Sequence, residues 1–136
     1  MKIFVCASKH FYIKAKPIIE ELCAAGHMVT PPNCFDDPGQ ENRMKDLSAD
    51  EYIKWKASMF QESVRHAENN DAVLVLNFEK NGIRDYVGGA TFLEIFKAWE
   101  LGKKIFFYNP IPEGILRDEL VGMSPIIING DLNKVR

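Results

Sequence analysis

The chain has 136 residues, of which 46% are hydrophobic and 26% charged, and its formal net charge at pH 7 is -2. This length and composition predict a single globular domain over residues 1–136. The slight negative charge argues against duplex nucleic acid as a partner, because proteins that bind duplexes need a basic surface. No apolar run is long enough to span a membrane and no signal peptide is evident, so we expect a cytoplasmic protein without a membrane partner.

The three cysteines and three histidines show no spacing that is typical of a metal site. Cys6 and Cys23 are expected to be buried structural thiols, since free cysteines are among the most buried residues. His10 follows an apolar run and is a weak candidate for an acid or base. We therefore predict no metal, and no pattern in the sequence requires a cofactor.

Apolar runs alternate with helical patterns in the first part of the chain. Lys2 to Ala7 predicts a first strand, and His27 to Thr30 predicts a second. Between them a helix is expected from about Pro17, ending at Gly26. If residues 11–16 are helical as well, Pro17 should break the helix there.

The next segment, Asn33 to Leu47, is polar and contains proline and glycine. It predicts a long surface loop, and loops of this length often act as functional lids. Ser48 and Glu51 match a capping box, which predicts the start of a long helix that continues to about Glu68. The apolar residues of that helix fall largely on one side.

The segment from Asn70 to Pro110 predicts a complete βαβ unit. Ala72 to Phe78 is almost entirely apolar, as expected for a central parallel strand that is buried on both faces. A helix is predicted from about Thr91 to Leu101, followed by a strand from Ile105 to Tyr108.

A short helix over residues 114–122 and a last strand over residues 125–128 complete the alternation. This order predicts the α/β class, with a doubly wound flavodoxin-like or Rossmann-like three-layer sandwich. Five parallel strands in the order 2-1-3-4-5 would open a ligand crevice where strands 1 and 3 end.

Two loops meet at that crevice, and they supply the candidate substrate-binding residues. These are Ser8, Lys9 and His10 after the first strand, and Asn77, Arg84, Gly88 and Gly89 after the third. The glycine pair permits close approach of a ligand, and a helix amino-terminus attracts an anion such as phosphate. The GxGxxG pattern and the phosphate loop that ends in Gly-Lys-Ser/Thr are both absent.

Glu94 lies early in the following helix and has two interpretations. Thr91 to Glu94 matches a capping box, and Glu94, Lys97 and Glu100 recur at a spacing of three, which favours a structural role. A carboxylate at this place can also attack the C1 carbon of a sugar and form a glycosyl ester. The pattern alone leaves both open.

Three segments carry a more specific pattern: KIFVCASKHF, NNDAVLVLNF and GGATFLEIFKAWELGKKIFFYNP. They resemble the nucleoside 2-deoxyribosyltransferase family, including its relatives that hydrolyse deoxynucleoside monophosphates. The resemblance implies the same doubly wound fold, a small-molecule nucleoside or nucleotide as substrate, and a homodimer or homotetramer. It also implies that Glu94, in ATFLEIFKAWELGK, is the nucleophile.

The chain departs from that family at three positions. Phe4 stands in place of a tyrosine, Gly88 in place of an aspartate, and a second aspartate falls near Ser63, beside Glu62. Asp85 is the candidate catalytic residue that would replace one aspartate. Cleavage or transfer at an N-glycosidic bond is the predicted activity, and the alternatives are a nucleotide-binding module without catalysis or a flavodoxin-like interaction protein.

Two of the predicted helices carry more large apolar side chains than are needed to cover one small sheet. Trp55 and Trp99 are therefore expected in the core or at a subunit interface and not as base-stacking platforms. Tyr86, in the crevice loop, is the candidate stacker.

Overall fold

The computed structural model describes residues 1–136 and confirms the predicted fold class. One parallel sheet has the strand order β2-β1-β3-β4-β5. The strands are β1 (Lys2–Cys6), β2 (Met28–Thr30), β3 (Ala72–Val75), β4 (Lys104–Phe107) and β5 (Ile126–Ile127). The helices are α1 (Tyr12–Ala24), α2 (Gln40–Leu47), α3 (Ala49–Asn69), α4 (Gly89–Glu100) and α5 (Arg117–Gly122), with 3-10 turns at Lys9–Phe11 and Leu132–Lys134. No helix is long and apolar enough to cross a membrane.

The centre of the sheet is formed by β1, β3 and β4, whose apolar runs are buried as predicted. Alternate side chains of these strands enter two separate cores, one against α1 and one against α4 and α5. Burial on both faces explains why the runs are continuously apolar and do not alternate.

A crevice opens at the carboxyl ends of β1 and β3, which lie side by side with Cys6 opposite Val75. After β1 the chain continues to β2 on one side of the pair, and after β3 it continues to β4 on the other side. The loops that follow β1 and β3 therefore run in opposite directions, and the crevice between them is the usual place for a ligand in this fold.

The predicted loop over Asn33–Leu47 is wrong in its second half, where α2 forms. No residue of α2 is buried, so the sequence shows no apolar period there. Side-chain hydrogen bonds attach it to α3 instead. Gln40 Oε1 accepts from Trp55 Nε1 at 3.2 Å, and Glu41 Oε2 accepts from Lys56 Nζ at 2.8 Å.

The predicted break at Pro17 is also wrong, because α1 continues through it. Proline removes the hydrogen bond to the carbonyl four residues earlier, that of Ile13. Ile13 is on the exposed face of the helix, where water can replace the lost bond. The predicted end at Gly26 is confirmed by its φ of +94° and by a hydrogen bond of 3.1 Å from His27 N to Leu22 O.

Candidate functional site

A cavity of about 640 Å³ lies beyond the carboxyl ends of β1 and β3, at the predicted crevice. Its walls come from the loops after β1 and β3, the segment after β2, and parts of α2, α3 and α4. The volume is within the range of sites that enclose a small-molecule ligand.

Glu94 lines this cavity from the second turn of α4. The capping-box interpretation is wrong, because Gly88 is the N-cap of α4 and Thr91 already lies inside the helix. The polar-stripe interpretation is wrong as well. Lys97 and Glu100 pair with each other at 3.1 Å, whereas Glu94 is only 8% exposed.

The Glu94 carboxyl group is held in a largely apolar setting by few polar contacts. Ser63 Oγ donates a hydrogen bond to Glu94 Oε2 at 2.8 Å. Burial raises the pKa of Glu94 to about 7, although Ser63, the Cys6 thiol and the charge of Lys56 favour the ionised form. A buried carboxyl with a pKa near neutrality, in a cavity, is typical of a functional group.

A second carboxylate, that of Glu41, joins α2 to the cavity wall. It accepts hydrogen bonds from Lys56 at 2.8 Å, Tyr52 at 3.2 Å and Lys9 at 3.4 Å. Burial works against ionisation of Glu41, but these bonds outweigh it and lower its pKa to about 2. Glu41 is therefore ionised at neutral pH and fixes α2 beside the cavity.

The amino end of α4 opens into the cavity at Gly88 and Gly89, and no side chain caps it. Its first backbone N–H groups lack helical partners and favour an anion. The cavity is lined by five lysines, Lys9, Lys45, Lys56, Lys80 and Lys97, against two glutamates, Glu41 and Glu94. Lys9 and Lys56 pair with Glu41, and Lys97 pairs with Glu100, so Lys45 and Lys80 are the lysines left to attract an anionic ligand.

Five of the predicted substrate-binding residues line the cavity: Ser8, Lys9, His10, Gly88 and Gly89. Partial desolvation and the charges of Lys80 and Lys9 lower the pKa of His10, which favours the neutral imidazole. A neutral imidazole accepts a proton more readily than it donates one.

Asn77 does not line the cavity, although it was predicted to bind substrate. Its side chain is fully buried and donates to the backbone oxygens of Asn109 at 3.0 Å and Pro110 at 2.8 Å. Asn77 also accepts from Asn109 N at 2.9 Å. These bonds tie the loop after β3 to the loop after β4, which is a structural role.

Arg84 and Asp85 likewise lie outside the cavity lining. Lys80 and Ile83 form an isolated antiparallel bridge, and Arg84 and Asp85 lie in the turn that follows it, where Arg84 is exposed. Lys80 supplies the positive charge that was expected from Arg84. Its Nζ lies 4.5 Å from the ring centroid of Tyr86, which does line the cavity.

Trp55 lines the cavity and not the core. The apolar face of α3 was predicted from its spacing, but only Ala67 of this helix is buried. Trp55, Met59 and Phe60 instead form an apolar wall of the cavity, and Lys56 Nζ lies 5.8 Å from the ring centroids of both Trp55 and Phe60. An apolar sequence pattern predicts that one face of a helix is shielded from water. It does not show whether that face lies in the protein core or lines a ligand cavity.

The cysteines differ in environment. Cys6 is buried beside Glu94, whereas Cys23 is exposed, contrary to the prediction for that residue. The chain has no group of three His, Cys, Asp or Glu residues that could hold a metal ion.

The structure is similar to a solved structure reported as a 2-deoxyribosyltransferase from the psychrotolerant bacterium Bacillus psychrosaccharolyticus. The TM-score is 0.62 and the sequence identity 16%, over 99% of this chain and 90% of that chain. No protein-family profile and no curated protein matches the sequence. The chain therefore has a nucleoside 2-deoxyribosyltransferase-like fold, with a basic cavity that contains one buried carboxyl group.

Proposed function

We propose that this protein acts on the N-glycosidic bond of a deoxynucleoside or its 5′-monophosphate, with Glu94 as the nucleophile. The observation that carries the proposal is the carboxyl of Glu94, buried at the cavity wall and held by Ser63 at 2.8 Å. Glu94 neither caps α4 nor lies on its exposed side, so these two structural roles do not explain the residue. The shared fold and the sequence resemblance around Glu94 support the same activity.

The reaction would proceed in two displacements. First, a carboxylate oxygen of Glu94 bonds to C1′ while the bond from C1′ to the base nitrogen breaks. The electron pair leaves with the base, which takes a proton from water. Next, water or a second base bonds to C1′ and loses a proton, the ester bond breaks, and the Glu94 carboxylate is restored.

The apolar and basic parts of the cavity suit different parts of such a substrate. The wall of Trp55, Met59 and Phe60 would pack against a base, since aromatic and thioether groups pack well on flat rings. The uncapped end of α4 and the lysines would favour a 5′-phosphate. We therefore infer that monophosphates are better substrates than nucleosides.

The test is release of free base from a panel of deoxynucleosides and their 5′-monophosphates, followed by chromatography. Glu94→Gln keeps the shape of the side chain and removes the nucleophile. We expect it to lower the rate by a factor on the order of 10⁴, while the substrate still raises its melting temperature. Glu20→Gln, at an exposed position of α1, is the control and should keep full activity.

Two results would contradict the proposal. One is undiminished base release by Glu94→Gln. The other is the absence of base release from every panel member although one of them raises the melting temperature of the wild type, since this would identify a binding module.

A further inference from the structure

A partly buried chain of hydrogen bonds leads to Glu94 from two other parts of the fold. Asn33, in the segment after β2, donates from Nδ2 to Ser63 Oγ in α3 at 2.9 Å. Ser63 Oγ lies in turn 2.8 Å from Glu94 Oε2 in α4. All three residues line the cavity.

The orientation of the Asn33 side-chain amide sets the direction of this chain. Its Nδ2 also donates to the backbone oxygen of Met59 at 3.1 Å. A carbonyl oxygen only accepts, so the amino group of Asn33 must face Met59, and its second N–H is then directed at Ser63. Because Ser63 Oγ accepts a hydrogen bond from Asn33, the Ser63 hydroxyl can donate its own hydrogen bond to Glu94.

The other contacts of Asn33 indicate that its role is to donate the two hydrogen bonds to Met59 O and Ser63 Oγ. Asn33 Oδ1 is buried without a hydrogen-bond partner, which is destabilising. The Tyr12 hydroxyl donates to the backbone oxygen of Asn33 at 2.6 Å and fixes the position of the residue. An asparagine kept at a cost in stability and held from both sides is typical of a functional site.

We propose that Asn33 and Ser63 are positioning residues that fix Oε2 of Glu94 and leave Oε1 as the oxygen that bonds to C1′. This inference rests on the proposed function, since only that reaction distinguishes the two oxygens. Neither residue was among the sequence candidates for the site, because the contacts that join them cross three elements. The resemblance had marked Ser63 only as the place near which a family aspartate falls.

The ionisation of Glu94 provides a readout that a merely structural role would not change. The groups that act on its carboxyl are Ser63 and Lys56 of α3 and Cys6 of β1, and all three favour the ionised form. Ser63 has the largest of these effects. Removal of its hydroxyl should therefore raise the pKa of Glu94 above the value of about 7 in the wild type.

The test is NMR titration of the glutamate carboxyl carbons in the ¹³C-labelled full chain, with Glu94→Gln to assign the signal. Ser63→Ala should raise the pKa of Glu94 by about one unit, and Asn33→Ala should raise it by less. In the Ser63→Ala background, Asn33→Ala should add no further shift, because it acts through Ser63. Ser63→Thr keeps the hydroxyl and should restore the wild-type value.

Ser58→Ala is the matched control, since this serine of α3 is exposed and its hydroxyl bonds only to Trp55 O. If the wild type releases base, the pH profile of kcat for Ser63→Ala should be shifted to higher pH by the same one unit. Relative to the wild type, kcat of the variant should be about tenfold lower at pH 6 and nearly equal at pH 9.

An unchanged Glu94 pKa in Ser63→Ala, or shifts that add independently in the double variant, would overturn the inference. The titration needs no substrate, so its outcome is separate from that of the base-release test. A wild type without base release would contradict the proposed function even if the coupling between Asn33 and Ser63 were found.

Discussion

At the scale of single residues, the carboxyl of Glu94, the proposed nucleophile, meets opposing demands. A nucleophile must be ionised, yet an ionised carboxylate is unfavourable in a site that is only 8% exposed. The Ser63 hydroxyl and the charge of Lys56 reduce this conflict without removing it. The residue that we place at the centre of the chemistry should therefore lower the stability of the fold at neutral and higher pH.

This leads to a prediction for Glu94→Gln. The carboxyl titrates near 4.5 as a reference value and near 7 in the folded protein. Between these pH values the folded state binds the extra proton, so the free energy of unfolding falls as pH rises through the window. By pH 8 the loss is on the order of 3 kcal/mol. Urea denaturation should show the variant more stable than the wild type by about that amount at pH 8, and similar to it at pH 4.5.

A pH-independent difference between these two proteins would contradict this explanation, as would a variant that is the less stable protein at pH 8. Glu100→Gln, at an exposed position of α4, should show no comparable gain at either pH.

The sequence identified some residues of the site and not others for a physical reason. Glu94 and the glycines before it belong to one continuous segment, so a local pattern was enough to find them. The contacts of Asn33 and Ser63 depend on how three distant segments pack. Asp85 was a candidate by its place in the loop, but a tight turn sets its position outside the cavity.

At the scale of elements, α2 shows how polar contacts can replace a buried face. None of its residues is buried, and hydrogen bonds of Gln40 and Glu41 join it to α3. A sequence reading based on apolar periodicity finds strands such as β1 and β3 but has no signal for such a helix. The capping pattern at Ser48 was correct, since its Oγ accepts from Glu51 N at 3.1 Å. The same pattern at Thr91 was not, because the helix begins earlier, at Gly89.

We predict that Glu41→Gln loosens α2 from the cavity wall. A charged acceptor contributes more than a neutral one, by roughly 1 kcal/mol or more. Amide hydrogen exchange over residues 40–47 should therefore become at least about fivefold faster, with little change over residues 55–69. Asp46→Asn, an exposed change on the same helix, should leave the exchange rates as they are.

The attachment of α2 should also depend on acidity. The pKa of Glu41 in the fold is about 2, below its reference of 4.5. The stability that it contributes is thus present above pH 4.5 and is lost as pH falls towards 2. If exchange in α2 were equally slow in Glu41→Gln and the wild type at pH 7, this carboxylate would not be what holds the helix.

At the scale of the whole molecule, α3 and α4 pack together and carry a group of exposed apolar side chains. We call this the α3/α4 surface: Ile53, Leu93, Phe96 and Trp99, of which Leu93 and Phe96 also line the cavity. Exposed apolar side chains on neighbouring helices are typical of a subunit interface. We propose that a second copy of the chain covers this surface in a symmetric homodimer or a dimer of dimers.

Sedimentation analysis at micromolar concentration should then give a dimer or tetramer for the wild type, and Trp99→Glu should dissociate it. Ile115→Glu is the matched control, because Ile115 is also exposed and apolar but lies before α5. A monomeric wild type would refute the proposed interface, as would equal dissociation by both variants.

The proposed nucleophilic role of Glu94 is tested most directly by trapping the sugar on the protein. The wild type would be mixed with a deoxynucleoside 5′-monophosphate and quenched with acid within the first turnover. Proteolysis and mass spectrometry would then locate any modified residue. We predict a sugar ester on Glu94 that is absent from Glu94→Gln. An ester on another residue, such as Asp85, would contradict a nucleophilic role of Glu94. Base release that persists in Glu94→Gln would contradict it as well.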